Sequence, residues 1–292
     1  MSCSKFYKDW DLNATPVVTP ESSSTYIERV INDRRSTMNR PSRKLMIDLT
    51  RITAEPLSND PYRWGFIDRL FTPADAEVLV NEFPRDHFKT VKGYDGEKGY
   101  QYEARSLIGM GAQAPSYAKD LSGAWLQLAK DLLSPAYRTA LTQLSGLDVA
   151  SLPMEANISH YGPKAWLGPH VDLEDKLLTQ VFYFNDVWDT EDGGCLTILR
   201  QTNKPEVVRT IPPLIGNSVV LVRSANSWHA VSAVRDSCRT SRRSLAVTFY
   251  RPGSLSTMWP EGDNTPLHSY DESPLSQWLQ EKWQRFARRA GR

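Results

Sequence analysis

The sequence predicts an α+β fold in which an N-terminal helical layer packs on one sheet of a β jelly roll. Amphipathic stripes at helical spacing fall in the first half of the chain. Short β-branched and aromatic runs fall in the second half, with glycine-rich turns between them.

The helical signals begin at Thr72-Pro73-Ala74-Asp75, which offers an N-cap hydroxyl, a proline at the first helical position and an acid in the first turn. Ala76, Leu79, Val80 and Phe83 follow at i, i+3, i+4 and i+7, so this helix buries one stripe. Trp125, Leu128 and Leu132 make a second stripe. Ser134-Pro135 then starts a third helix carrying Tyr137, Leu141 and Leu144, and Gly146 supplies its stop. These apolar sets read as core contacts.

From about Glu155 the pattern changes. Thr179 to Asn185, Ser218 to Arg223 and Ser244 to Tyr250 read as strands. Gly162-Pro163, Gly193-Gly194 and Gly216-Asn217 read as turns between them. The organisation expected is an extended arm over residues 1–44 and one domain over 45–292. Within the domain we expect a helical layer at about 60–148, a jelly roll at about 150–252 and a C-terminal helix at about 276–289. The arm is rich in Ser, Thr, Pro and Arg and has no apolar period.

Composition excludes several function classes. The 35 basic and 34 acidic side chains give a net charge of +1, with no overall bias toward nucleic acid or an anionic membrane. No apolar run approaches the ~20 residues that span a bilayer. Cys3, Cys195 and Cys238 are far apart and form no CxxC pair, so neither a disulfide framework nor a structural zinc site is expected. A cytoplasmic protein is the expectation, and oligomeric state is not legible.

The chemistry rests on a few residues. The chain has five histidines, His87, His160, His170, His229 and His268. His170-Val171-Asp172 is a weak signal alone. In a strand, however, residues i and i+2 share a face, so an imidazole and a carboxylate can meet at one point. A second imidazole completes a 2-His-1-carboxylate face with open positions for a chelating ligand and O₂. His229, just after the apolar Ser218–Arg223 run, is the expected third ligand. His160 and His87 compete for the role, but His160 reads as a pocket or core residue and His87 as a surface loop.

A keto-acid partner needs a cation for its far carboxylate, and the planar fork of arginine suits that task. Alternation along Arg242 to Tyr250 decides between two candidates. Arg243, Leu245, Val247 and Phe249 share an apolar face, whereas Arg242, Ser244, Ala246, Thr248 and Tyr250 share a smaller, more polar one. Arg242 with Ser244 is the expected clamp, and Arg243 the competing choice.

An ordered set of segments now carries a resemblance. It runs Tyr161-Gly162, Pro169-His170-Val171-Asp172, Thr179 to Asn185, Trp188, Gly193-Gly194-Cys195-Leu196, Trp228-His229-Ala230-Val231 and Arg242-x-Ser244. Over about residues 60–252 the chain resembles the prolyl-4-hydroxylase-like branch of the Fe(II)/2-oxoglutarate (2OG)-dependent dioxygenases. The helical pattern of Phe66 to Phe83 resembles the family's opening element. One departure is a longer gap between His229 and Arg242, filled by a loop containing Asp236 to Thr240.

The resemblance implies a double-stranded β-helix with His170, Asp172 and His229 as iron ligands and catalytic centre. It implies Arg242 on the 2OG C5 carboxylate with Ser244 beside it, and Leu196 as an apolar wall. Tyr183 and Tyr161 align with pocket tyrosines, with plain core packing as the competing reading. Fe(II), 2OG and O₂ would be required and ascorbate would be an optional aid, with succinate and CO₂ as co-products. Related halogenases carry a small residue where Asp172 stands, so hydroxylation, desaturation or ring formation is expected instead. A small-molecule substrate in natural-product biosynthesis is the first expectation, and a prolyl or other protein residue the second. A jelly-roll binding module with a non-catalytic metal is the alternative of another class.

Overall fold

The computed structural model describes residues 45–94, 99–201 and 206–270. The expected arm (1–44) and C-terminal helix (276–289) lie outside the described residues. The helices are α1 (Leu49–Ile52), α2 (Pro73–Asn81), α3 (Gly123–Leu133) and α4 (Pro135–Ser145). The strands are β1 (Trp64–Ile67), β2 (Lys89–Tyr94), β3 (Gly99–Ile108), β4 (Met154–Tyr161), β5 (Trp166–His170) and β6 (Lys176–Tyr183). They continue with β7 (Leu196–Arg200), β8 (Glu206–Ile211), β9 (Ser218–Val222), β10 (His229–Val231) and β11 (Arg242–Tyr250).

The helix ends follow their sequence signals. The Thr72 hydroxyl accepts from Asp75 N–H and caps α2, an interaction worth about 1 kcal/mol. Ser134 caps α4 in the same way, and Gly146 ends α4 at φ +68°, a backbone region that disfavours side chains with a Cβ. The stripes face one core: Leu79, Trp125, Leu128, Leu132, Tyr137 and Leu141 pack with Ile158, Leu245, Val247 and Phe249 of β4 and β11. Trp125 is fully buried and its indole donates to Leu79 O at 3.1 Å, which satisfies its single polar group.

The sheet is antiparallel, in the order β1-β9-β6-β11-β4-β3-β5-β10-β7-β8, with β2 paired to β3. It curls into two layers. Leu196, Ile198 and Ile211 of β7 and β8 pack on Val181, Tyr183, Val219 and Leu221 of β6 and β9. This is a jelly roll whose outer face carries the helices and whose inner face turns toward the opposite layer.

One expectation changes. The stretch read as a helical layer, about 60–148, also holds β1, β2 and β3, and β3 extends the main sheet by pairing with β4. Phe66 lies in β1 rather than in a helix. The polar and charged positions of β3 hide its strand period: Gln101 is exposed, and Glu103 and Arg105 pair with groups brought from elsewhere. Arg105 Nε, for example, donates to Asp86 O at 3.0 Å.

Candidate metal centre and co-substrate pocket

The pairing of β5 with β10 places His170 opposite His229, with ring centroids 4.3 Å apart. Asp172 lies two residues past the end of β5, and the three side chains each offer a ligand atom within 4.8 Å of the others. His170 Nδ1 lies 2.8 Å from Gly168 O, and His229 Nδ1 lies 3.0 Å from Ser227 O. A carbonyl can only accept, so each Nδ1 carries the proton and each Nε2 keeps its lone pair. Burial, with His170 close by, pushes His229 down to about 3 and keeps its ring neutral. Two neutral imidazoles and one carboxylate are a donor set that fits Fe(II) with positions left open.

Asp172 is oriented from β6 as well as by its neighbours in sequence. Lys176 Nζ donates to Asp172 Oδ1 at 2.9 Å, and Thr179 Oγ1 donates to Oδ2 at 3.3 Å. Burial raises the carboxyl, but the opposing causes, led by the Lys176 ammonium, hold Asp172 well below the usual carboxylate range. Lys176 and Thr179 were not read from the sequence as site residues. The only cue was a lysine four positions from the acid, and in a turn that spacing carries no meaning. Thr179→Val keeps the shape of the side chain and removes one orienting donor. Loss of such a partner costs roughly 10- to 100-fold in metal affinity, so Fe(II) dissociation measured by dialysis should rise by that order. An unchanged affinity would mean Thr179 does not hold the ligand.

The other end of the inner face is cationic. Arg242 is buried, its Nη1 donates to Ser244 Oγ at 2.6 Å, and its guanidinium lies over the rings of Tyr161 (4.7 Å) and Tyr183 (5.4 Å). Arg242 Nε and Tyr183 Oη are buried with no hydrogen-bond partner among the described residues. Buried polar groups are normally satisfied, so this pair of orphan groups marks where an anionic ligand fits. Burial pushes the Tyr161 phenol up to about 12 and also raises Tyr183, with Arg242 opposing both, so each phenol keeps its proton to donate. Leu196 packs in the same cluster as Tyr183.

Arg243 points the opposite way. Its Nη1 donates to Val80 O at 3.4 Å and its guanidinium lies 5.5 Å from the Phe83 ring, in the helical layer. His160 is also on that side, with Nδ1 2.7 Å from Ser241 Oγ and its ring between Phe83, Phe88 and Tyr270. His87 stacks on Tyr117 at 4.0 Å and is half-buried beside Asp86 and Asp120. The longer gap before Arg242 folds back on the turn at Gly193-Gly194. A Cβ on Gly193, at φ +70°, would meet Ala233 O at 2.0 Å, so only glycine lets the two segments approach.

Comparisons with known proteins can now be set beside this geometry. Residues 156–251 match the family model of the 2OG-Fe(II) oxygenase superfamily. No curated protein sequence matches the chain. Among solved structures, a prolyl-4-hydroxylase from Pseudomonas putida aligns at 20% identity over 70% of this chain and 98% of that chain, with a TM-score of 0.48. A prolyl hydroxylase from Trichoplax adhaerens, in complex with a hypoxia inducible factor peptide fragment, aligns at 13% identity over 79% and 94%, with a TM-score of 0.42. The epimerase SnoN from nogalamycin biosynthesis aligns at 16% identity over 76% and 94%, with a TM-score of 0.43.

Proposed function

We propose that the chain, whose residues 156–251 match the 2OG-Fe(II) oxygenase model, acts as such an oxygenase and oxidises an unactivated C–H bond of a small molecule. His170, Asp172 and His229 hold Fe(II), and Arg242, Ser244 and Tyr183 hold the far carboxylate of 2OG, with Tyr161 and Leu196 as walls. When bound, Fe(II) with 2OG and O₂ would supply the oxidant: one oxygen atom would enter succinate as CO₂ leaves, and the other would enter the substrate on hydroxylation or leave as water on loss of two hydrogens. The chain's own part is to orient the ligands, anchor the co-substrate and exclude water.

The observation that carries the small-molecule reading is a cover over the inner face. After β11 the chain folds back, so that Ser256 Oγ donates to Glu155 and Trp259 Nε1 donates to Asn157 Oδ1 at 2.7 Å. Lys89 ties the same segment down through Met258 O and Asp263, with its ammonium 4.2 Å from the Trp259 ring. A roofed wall suits a compact substrate better than an extended chain. Natural-product tailoring in a reducing cytoplasm, by a single domain over 45–292, completes the proposal and suits the free thiols of Cys195 and Cys238. Among the described residues no helix is long and apolar enough to cross a membrane.

The test is succinate formation from 2OG against a panel of amino acids, sugars and antibiotic-like molecules. One class should stimulate turnover and gain one oxygen atom or lose two hydrogens, with no effect of chloride, because Asp172 occupies the place a halide would need. A chlorinated product, or stimulation by folded proteins alone, would overturn the reading.

A further inference from the structure

The inner wall continues past the metal ligands along a line the family roles do not cover. Thr179, which donates to Asp172, lies 3.2 Å from Thr248 Oγ1. Thr248 is in register with Glu155 on β4, so Glu155 stands on the inner face one strand beyond the group that orients the metal-site carboxylate. Glu155 is 2% exposed. Its oxygens receive only hydroxyl donors, Tyr250 Oη at 3.3 Å and Ser256 Oγ, and no cation is within ion-pair distance of it among the described residues.

Asp172, by contrast, has the Lys176 ammonium beside it, and Asp131, also without a cation among the described residues, accepts from three N–H donors, the Met46 and Ile47 amides and Gln127. A buried carboxylate served by two hydroxyls alone is costly to the fold, and a cationic ligand would complete its set of partners. About four lone-pair positions are available on a carboxylate, and two hydroxyls leave the others open. The surroundings suit a cation: the Tyr250 hydroxyl hydrogen-bonds Glu155, and burial first, with the charge of Glu155 second, raises that phenol. Aromatic rings beside a carboxylate are the usual setting for an ammonium group.

We propose that Glu155 is a substrate-binding residue that takes a protonated amine or guanidinium, with Tyr250 beside it. The substrate class is therefore a small cationic or zwitterionic molecule. This inference rests on the small-molecule reading above and deepens it.

The test uses the full-length enzyme loaded anaerobically with Fe(II) and 2OG. It is titrated with matched pairs of free amino acids or small amines and their N-acetyl counterparts. The readouts are the shift of the visible iron–2OG band and, in air, succinate release. Free-amine members should bind with a preference on the order of 30-fold over their acetylated partners. Glu155→Gln should reduce that preference to about threefold or less and leave 2OG affinity and the melting temperature unchanged. The paired comparison on the unmodified enzyme stands even if the variant fails to fold. Equal binding of neutral partners, failure of every amine to bind, or a preference retained in E155Q overturns the inference. Failure to bind 2OG with Fe(II) would instead sink the oxygenase assignment of the site.

Discussion

Replacing His170 or His229 with alanine should abolish the visible band that the wild-type protein develops with Fe(II) and 2OG under anaerobic conditions. Each change removes one of three donors whose ligand atoms lie within 4.8 Å of one another. A site with two protein ligands left lacks the face that Fe(II) needs to hold a chelating keto acid. The variants should stay folded, because the two rings bond outward to carbonyls two residues away, at Gly168 and Ser227, and hold no distant element in place through those bonds. His160→Ala is the control and should keep the band. That ring sits among Phe83, Phe88 and Tyr270, so its loss leaves a cavity and lowers stability by about 2–4 kcal/mol, read as a lower melting temperature. If His160→Ala loses the band and His229→Ala keeps it, the third ligand has been misassigned.

Why these residues could be read from sequence while others could not is a matter of local against distant geometry. The caps at Thr72 and Ser134 are local, and α2 and α4 start where those residues indicate. Alternation along β11 is equally local: Leu245, Val247 and Phe249 join the helical core, and Ser244 faces inward with Arg242. The strand β3 was hidden because Glu103 and Arg105 are charged and find partners such as His268 and Asp86 far along the chain. Lys176, Thr179 and Glu155 were equally hidden. Their place near Asp172 depends on β6, β11 and β4 lying side by side, and no spacing in the sequence encodes that neighbourhood. Asp172 itself shows the limit of the strand argument. Its strand stops at His170, and the carboxylate reaches the site through donors from β6 rather than through alternation.

The clamp gives the second large effect. Arg242→Ala should raise the 2OG concentration needed for half-maximal succinate formation by roughly 30- to 1000-fold, because a charged pair to a carboxylate is worth on the order of 2–4 kcal/mol. The buried Arg242 Nε and Tyr183 hydroxyl, neither with a hydrogen-bond partner among the described residues, make the same point from two directions, since a bound carboxylate would satisfy both. Tyr183→Phe should therefore act in the same sense and more weakly, by about tenfold, as befits one neutral donor. Arg243→Ala tests the strand-face argument directly. Its guanidinium reaches Val80 O and the Phe83 ring on the helical side, so the variant should lose stability and keep its 2OG requirement. The measurement is a 2OG titration of each variant at saturating Fe(II), alongside thermal unfolding. A large 2OG defect in Arg243→Ala with a normal Arg242→Ala would mean that the co-substrate lies on the other face of β11, and with it the pocket assigned to Tyr161, Tyr183 and Leu196 would have to move.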